Sequence, residues 1–283
     1  MKCKRLLGVG LSLCLLLGGL TACGEKQSDM PDLSSLGAMT ILAREDGSGT
    51  KEEFENLAST QEKGATAQAQ STQDVEKTLA SDKNAIGYAA YGSLSKDSGV
   101  RLLSIDGIAP TPETIRDNSY PLCRKYSLAY SGQLTAVEND FLTYILTQGQ
   151  ETVSQDYIPV KKTQTFLSDK SAGQISIAGS SSAAPLVQAL AKQYMAINPN
   201  AKITVTATDS SRGLTQAIRG DCDLAMSSRA LKDYESELLT AQAIAADAIA
   251  VAVNADNPLE NLSMQQLTAI YDGQYKQWTD LSK

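Results

Sequence analysis

The sequence predicts an α/β fold with a largely parallel sheet, and three features of the 283-residue chain carry that expectation. Over residues 174–229 short apolar strands alternate with serine-rich turns and helical stretches, the order expected of strands joined by helical crossovers. Residues 39–54 show the same order: an apolar run, the turn Asp46-Gly47-Ser48-Gly49, and the start of a helix. A hydrophobic share of 42% over this length is enough for two globular domains with cores of their own. In open α/β sheets, ligands sit at the carboxyl ends of the strands. The four serine-bearing turns therefore fall where binding loops belong.

Taken in order, the chain opens with Lys2, Lys4 and Arg5, an apolar run over residues 6–20, and Leu20-Thr21-Ala22-Cys23. That run is short for a membrane span and abruptly ended, so residues 1–22 read as an export signal. Residues 23–37 are polar, lack apolar periodicity and read as a flexible tether. A strand is expected at 39–43, closed by Arg44, and a helix from Lys51 to about Leu57. Residues 58–70 are small and polar and read as a surface loop. A short helix follows at 74–79, a buried strand at 84–91, a strand at 100–105, a loop at 106–111 and a helical turn at 111–116. Residues 122–129 alternate as a strand should, and 136–146 carry Val137, Phe141 and Ile145 at helical spacing. After the polar break 161–173 come a strand at 174–179 and a helix at 183–196 with Pro185 in its first turn. Further strands are expected at 203–206, 222–226 and 249–253, and helices at 214–219 and at 263–271, the latter capped by Ser263. The only tryptophan, Trp278, lies in a short segment at 274–281.

Composition narrows the chemistry. A net charge of −7 argues against nucleic acid as a partner, yet an acidic protein can still bind an anion where local dipoles build the site. The chain has no histidine, which removes Ser-His-Asp and Cys-His catalysis and His-ligated zinc. Cys3, Cys14, Cys23, Cys123 and Cys222 include no Cys-x-x-Cys pair and fit no zinc spacing. Outside the cytoplasm, Cys123 and Cys222 are free to form a disulfide if their separation allows it.

The stretch LAREDGSGTKEEF, residues 42–54, gathers an arginine, two hydroxyls and a glycine turn at the start of a helix. The free N–H groups and positive dipole end of such a start favour an anion, and the guanidinium of Arg44 adds a planar cationic fork. The same residues also read as an ordinary strand-to-helix turn capped by Ser48.

Several stretches together resemble the phosphate-binding lipoproteins of bacterial phosphate ABC transporters, in the two-lobed periplasmic binding protein class. They are ISIAGSSSAAPLVQALAKQY, TDSSRGLTQAI, DLAMSSRALKD, IAVAVNADNPLENLSMQQLTAIYDGQYKQW, LAREDGSGTKEEFE, NAIGYAAYG and DGIAPTPETIRDNSYPLCRKYSL. The resemblance implies an α/β, two-lobed fold of the type 2 periplasmic binding protein kind that binds inorganic phosphate. In that class the segment matching ISIAGSSS comes first and the one matching REDGSGT last, so this chain resembles a circular permutant joined through residues 161–173. The lobes would then be residues 38–99 with 258–283, and residues 100–257, with hinge crossings near Gly99-Val100 and Asn254-Pro258. The implied phosphate ligands are Arg44, Ser48, Gly49 and Thr50 from one lobe, and Ser181, Ser182, Ser210 and Ser228 from the other. Some members carry an aspartate where this chain has Ser228. Asp209 is open to two readings, an acceptor for the phosphate proton or the N-cap of the following helix.

The resemblance further implies a monomeric, non-enzymatic, lipid-anchored protein on the extracytoplasmic face of the cell membrane. It would need no cofactor or metal and would deliver phosphate to ABC transporter permease subunits. A binding protein for sulfate, molybdate or tungstate, or a phosphate sensor outside transport, is the alternative. A serine hydrolase is disfavoured, since neither Ser48 nor Ser181 sits in Gly-x-Ser-x-Gly and no histidine is present as base. Leu20-Thr21-Ala22-Cys23 matches the lipobox of such lipoproteins, with Cys23 as the lipidated residue. Cys23→Ala is expected to release the protein from membranes or leave its signal uncleaved; unchanged processing and membrane fractionation of that variant would refute the assignment.

Overall fold

The computed structural model describes residues 30–95 and 99–282, so Cys23 and the expected export signal lie outside the described residues. The first element, β1 (Thr40–Arg44), is buried almost throughout and leads through Ser48 into α1 (Gly49–Leu57). Next come β2 (Ala67–Ala69), α2 (Thr72–Ser81), β3 (Ala85–Ala90) and a single 3-10 turn at Tyr91–Ser93. The chain continues through β4 (Val100–Leu102), β5 (Ser104–Ile105), α3 (Pro112–Arg116), β6 (Cys123–Tyr130), α4 (Ala136–Leu146), α5 (Gln150–Asp156) and β7 (Ile158–Pro159). After the stretch 161–172 follow β8 (Gly173–Ser180), α6 (Ala184–Ile197), β9 (Ala201–Thr208), α7 (Ser210–Arg219), β10 (Leu224–Ser227) and α8 (Asp233–Ser236). The last elements are β11 (Thr240–Asn254), β12 (Asn261–Leu262), α9 (Met264–Tyr271) and a 3-10 turn at Trp278–Ser282.

Most of the strands join one ten-stranded sheet whose main path runs β2-β1-β3-β11-β6-β10-β8-β9. The expectation of a largely parallel sheet needs correction. β1 is parallel to β2 and β3, and β8 is parallel to β9 and β10, but β11 pairs antiparallel with β3, β4, β6 and β7. The sheet therefore has two parallel groups of strands, joined through antiparallel pairing of β3 with β11, β11 with β6, and β6 with β10. β11 is 15 residues long, whereas only its end at 249–253 was legible. Its first part, TAQAIAADA, is alanine-rich and carries few β-branched residues, so local propensity does not announce a strand; pairing with β6 makes it one.

The change of partner along β11 also locates the boundary between the halves. Residues 240–248 pair with β6, and Ile249–Asn254 with β3 and β4. β4 and β5 pair with the end of β11 and with β12. The segment 100–105 thus sits with the half that holds β1, rather than opening the other lobe at Gly99-Val100. The short strand β2, inside the expected loop 58–70, is held by main-chain pairing to β1 and has no side-chain signature. The helices α5 and α8 were not expected, β10 is Leu224–Ser227 where 222–226 was expected, and α1 and α7 begin at Gly49 and Ser210, ahead of their apolar residues, because Ser48 and Asp209 cap them.

Packing follows from these pairings. In one half, Phe141, Tyr144, Leu190, Tyr194, Ile175 and Ile177 share a core between α4, α6 and β8. In the other, Phe54 stacks on Tyr88 with centroids 4.0 Å apart, and Tyr271 meets Phe54 edge-on at 4.7 Å. Gly213 lets α7 lie directly on β8, since a Cβ there would stand 2.4 Å from the Cα of Gly179. Cys123 and Cys222 are both free thiols, so the permitted disulfide does not form. Among the described residues, no helix is long and apolar enough to cross a membrane.

The end of the chain completes the half that begins at β1. Met39 N–H donates to the Lys276 carbonyl, Trp278 Nε1 donates to the Asn84 carbonyl at 3.1 Å, and the Tyr271 hydroxyl donates to the Leu42 carbonyl at 3.2 Å. Trp278 is fully buried. Truncating a buried tryptophan leaves a large cavity, so Trp278→Ala is expected to lower the unfolding free energy by about 3–5 kcal/mol, read from urea denaturation. A midpoint and slope equal to wild type would show that the tail is not part of this core.

Candidate anion-binding site

The loops at the ends of β1, β8, β9 and β10 meet at one seam between the halves. Arg44, the last residue of β1, is wholly buried. Its Nε and Nη2 donate to the two carboxylate oxygens of Glu45 at 2.8 and 2.9 Å, and Nη2 also reaches Ser181 Oγ at 3.2 Å. Its Nη1 is buried without a hydrogen-bond partner among the described residues. A charged donor left without an acceptor in a protein interior is costly unless a ligand completes it.

The first turn of α1 supplies the next groups. Ser48 is its N-cap: the Oγ accepts from Lys51 N–H, leaving the amides of Gly49 and Thr50 as the free leading N–H groups of a helix start. Gly49 is needed here for closeness, since a Cβ would stand 2.2 Å from Ser210 Oγ and 2.6 Å from Ser228 Oγ. The buried hydroxyl of Thr50 lies 2.9 Å from Ser182 Oγ. Ser210 opens α7 and is fully buried; its Oγ accepts from Ser228 N–H at 3.1 Å and lies 3.3 Å from Ser228 Oγ. Thus Arg44, Ser48, Gly49, Thr50, Ser181, Ser182, Ser210 and Ser228 all stand along this seam, with Ser48 turned to its helix rather than across it. Asp209 is placed as the N-cap of α7, its Oδ1 accepting from Arg212 N–H at 2.7 Å.

A second guanidinium, not singled out by sequence, backs the seam. Arg124 on β6 donates through Nη1 to Thr50 Oγ1 at 2.7 Å and through Nε and Nη2 to Asp247 Oδ2 at 3.1 and 2.9 Å. Arg124 and Asp247 face each other directly across the β6–β11 pairing. Burial disfavours the charge on Arg124, but Tyr126 and Asp247 beside it outweigh that and raise its pKa above the usual arginine value. The signal for this residue was present: Arg124, Tyr126 and Leu128 share one face of an alternating strand whose other members at that face are buried. A buried arginine needs a partner, and Asp247 is the only acid in the run AIAADAIAVAV.

The chemistry of the seam is that of a small, buried oxyanion clamp: one guanidinium nitrogen without a partner among the described residues, two helix starts and several short hydroxyls. Thr50 Oγ1 accepts from Arg124 and Ser210 Oγ from Ser228 N–H, so the hydrogen of each hydroxyl can go to its neighbour, Ser182 or Ser228, or to a ligand. A cavity of about 940 Å³ along Tyr91, Pro112, Arg116, Tyr157 and Lys161 is lined by none of these residues. Under the clamp, Tyr88 accepts from Arg44 N–H at 3.1 Å. Beside Tyr88, burial pushes the Glu62 carboxyl up to about 7.

Comparison with known proteins gives a consistent picture. Residues 21–148 and 165–283 match the PBP superfamily domain. The chain is 35% identical over 294 residues to the phosphate-binding protein PstS 2 of Streptococcus pneumoniae serotype 4, covering 98% of this chain and 99% of that protein. It is 34% identical over 297 residues to phosphate-binding protein PstS 2 of Streptococcus agalactiae serotype V, covering 100% and 99% of the two chains. The crystal structure of a phosphate-binding protein of a phosphate ABC transporter from Streptococcus pneumoniae TIGR4 superposes with a TM-score of 0.73 at 34% identity. It covers 87% of this chain and 100% of that one.

Hydrogen bonds from a buried guanidinium to an anion are worth about 1.5–3 kcal/mol each, and about 1.4 kcal/mol is tenfold in affinity. Arg44→Ala is therefore expected to weaken phosphate binding at least about tenfold in calorimetric titration. An unchanged dissociation constant in a folded variant would make Arg44 a structural residue only.

Proposed function

The chain belongs to the PBP superfamily, and within it we propose that the chain is a binding protein that captures inorganic phosphate between its two halves for an ABC importer. The observation that carries this reading is the buried Nη1 of Arg44, without a hydrogen-bond partner among the described residues, on a guanidinium whose Nη2 reaches Ser181 in the other half, beside hydroxyls that converge from both halves. The two streptococcal relatives are named phosphate-binding proteins and are alike over nearly their whole length, which supports the same ligand here. Capture requires that an anion make contacts with both halves at once, so that its binding energy favours the closed arrangement. The halves would part by bending where β11 changes partners, at Ala248 and Ile249, and at Leu122-Cys123, whose carbonyl side is tied to Ile249 N–H.

Attachment belongs to the same reading. A lipid on Cys23 would hold the protein at the extracytoplasmic face of the membrane, within reach of the permease subunits; the expected tether of residues 23–37 is shortened at its far end, because Leu33 and Leu36 are buried. No catalytic step is involved, and the relatives are likewise named for binding and transport.

Selectivity is where a second oxyanion competes. Near neutral pH phosphate still carries a proton and sulfate does not, so an acceptor in the clamp favours phosphate. Asp209 Oδ1 is already engaged at the start of α7, and asparagine caps a helix about as well as aspartate. Titration calorimetry of the purified chain is expected to show one phosphate bound per chain, with sulfate at least about tenfold weaker. Asp209→Asn is expected to leave that ratio unchanged. Tighter binding of sulfate would favour the rival ligand, and a ratio that narrows in the variant would give Asp209 the acceptor role.

A further inference from the structure

Two residues beyond Thr50, α1 carries an acid that reaches across the seam. Glu52 Oε1 accepts from Ser211 Oγ at 2.6 Å, and Oε2 lies 2.9 Å from Arg229 Nε and 2.7 Å from Lys232 Nζ. Beside it, Ala230 N–H donates to Glu53 Oε2 at 3.4 Å, and Ser211 N–H donates to the Gly47 carbonyl at 3.3 Å. Gly47, Glu52 and Glu53 belong to the half built on β1. Ser211, Arg229, Ala230 and Lys232 belong to the half built on β8, β9 and β10.

Isolated surface ion pairs contribute little, because two mobile side chains must be ordered to form them. Here most of that ordering is already done. Arg229 Nη1 and Nη2 donate to the two oxygens of Glu235 at 2.7 and 2.9 Å, within its own half. Only 3% of Arg229 is exposed, so its guanidinium is held in place beside Glu52, where Nε makes an ion pair without hydrogen-bond geometry. The placement of Glu52 also matters electrostatically. A carboxylate so near an oxyanion clamp would repel the ligand, and Arg229 and Lys232 offset that charge only while the halves are together.

We propose that Glu52 is a latch carboxylate: it ties the clamp helix to the segment Arg229–Lys232 and sets how slowly the bound anion is released. The assignment rests on the reading of the clamp as a phosphate site that closes between two halves. Glu52 itself touches none of the clamp hydroxyls, so it acts through closure rather than on the anion.

Glu52→Gln keeps the size of the side chain and the Ser211 contact while removing the charge. In stopped-flow measurements the phosphate release rate is expected to rise about tenfold, with association nearly unchanged, because interface contacts act mainly on dissociation. A merely structural role would lower stability without that split. Spin labels at the exposed positions Asn56 and Arg219, in a chain with Cys123→Ser and Cys222→Ser, report the separation of the halves directly. The variant is expected to show longer distances than the otherwise identical chain that keeps Glu52, with and without phosphate. Release at the wild-type rate, or superimposable distance distributions, would overturn the latch. If the wild-type chain binds no phosphate, the capture reading fails while the distance measurement still decides the latch. Should Glu52→Gln fail to fold, Lys232→Gln removes one of the same pairings from the half-exposed side, and the same two outcomes apply.

Discussion

The buried pair of Arg124 and Asp247 is the interaction on which the seam depends. It joins β6 to β11 across the sheet, and both side chains then reach beyond it. Arg124 Nη1 donates to Thr50 on the clamp helix, and Asp247 Oδ1 accepts from Gly92 N–H at 2.8 Å, just past β3. One ion pair thus touches both halves of the sheet and the first turn of α1. Taking two charges out of water is expensive, and the pair is tolerable because nearly every remaining donor and acceptor on it is used. Losing either partner would leave an uncompensated charge beside the clamp.

That arrangement also answers how a chain with a net charge of −7 can receive an anion. The overall field is unhelpful, so the attraction has to be local and shielded from water, where oriented dipoles and a single guanidinium act strongly. Arg44 is itself paired in plane with Glu45, which fixes its orientation and lowers the net charge of the site. What is left facing the seam is a set of donors rather than a pool of positive charge. Such a site distinguishes ligands by where their protons and lone pairs lie, not by charge alone.

Much of this was legible in the sequence, for reasons that differ by element. The clamp was visible because REDGSGT compresses a strand end, a glycine turn and a helix start into one stretch, and local chemistry dictates each. The serine turns of β8, β9 and β10 were visible because they recur in the same place in a repeating unit. The alternation of β6 marks Arg124 as inward-facing, but its role arises from a partner more than a hundred residues away that only sheet pairing brings opposite. For the same reason the sheet's mixed direction and the true extent of β11 escaped notice: strand direction is a property of pairs, and an alanine-rich segment says little about its partners. Asp209 was read both ways, and its cap geometry shows how a polar residue at a helix start can serve the backbone first.

The length of β11 has a consequence for how this molecule comes apart. Its hydrogen bonds serve β6 at one end and β3 at the other, so neither half possesses a complete sheet without it. The half built on β1 is further assembled from the two extremes of the described chain, with Trp278 and Tyr271 closing over strands that begin near Met39. A body knit in this way has no internal line along which one part can melt while the other stays native. Melting of either half therefore takes hydrogen-bond partners from the other, and refolding waits on contacts between residues far apart in sequence, which slow folding relative to helical proteins.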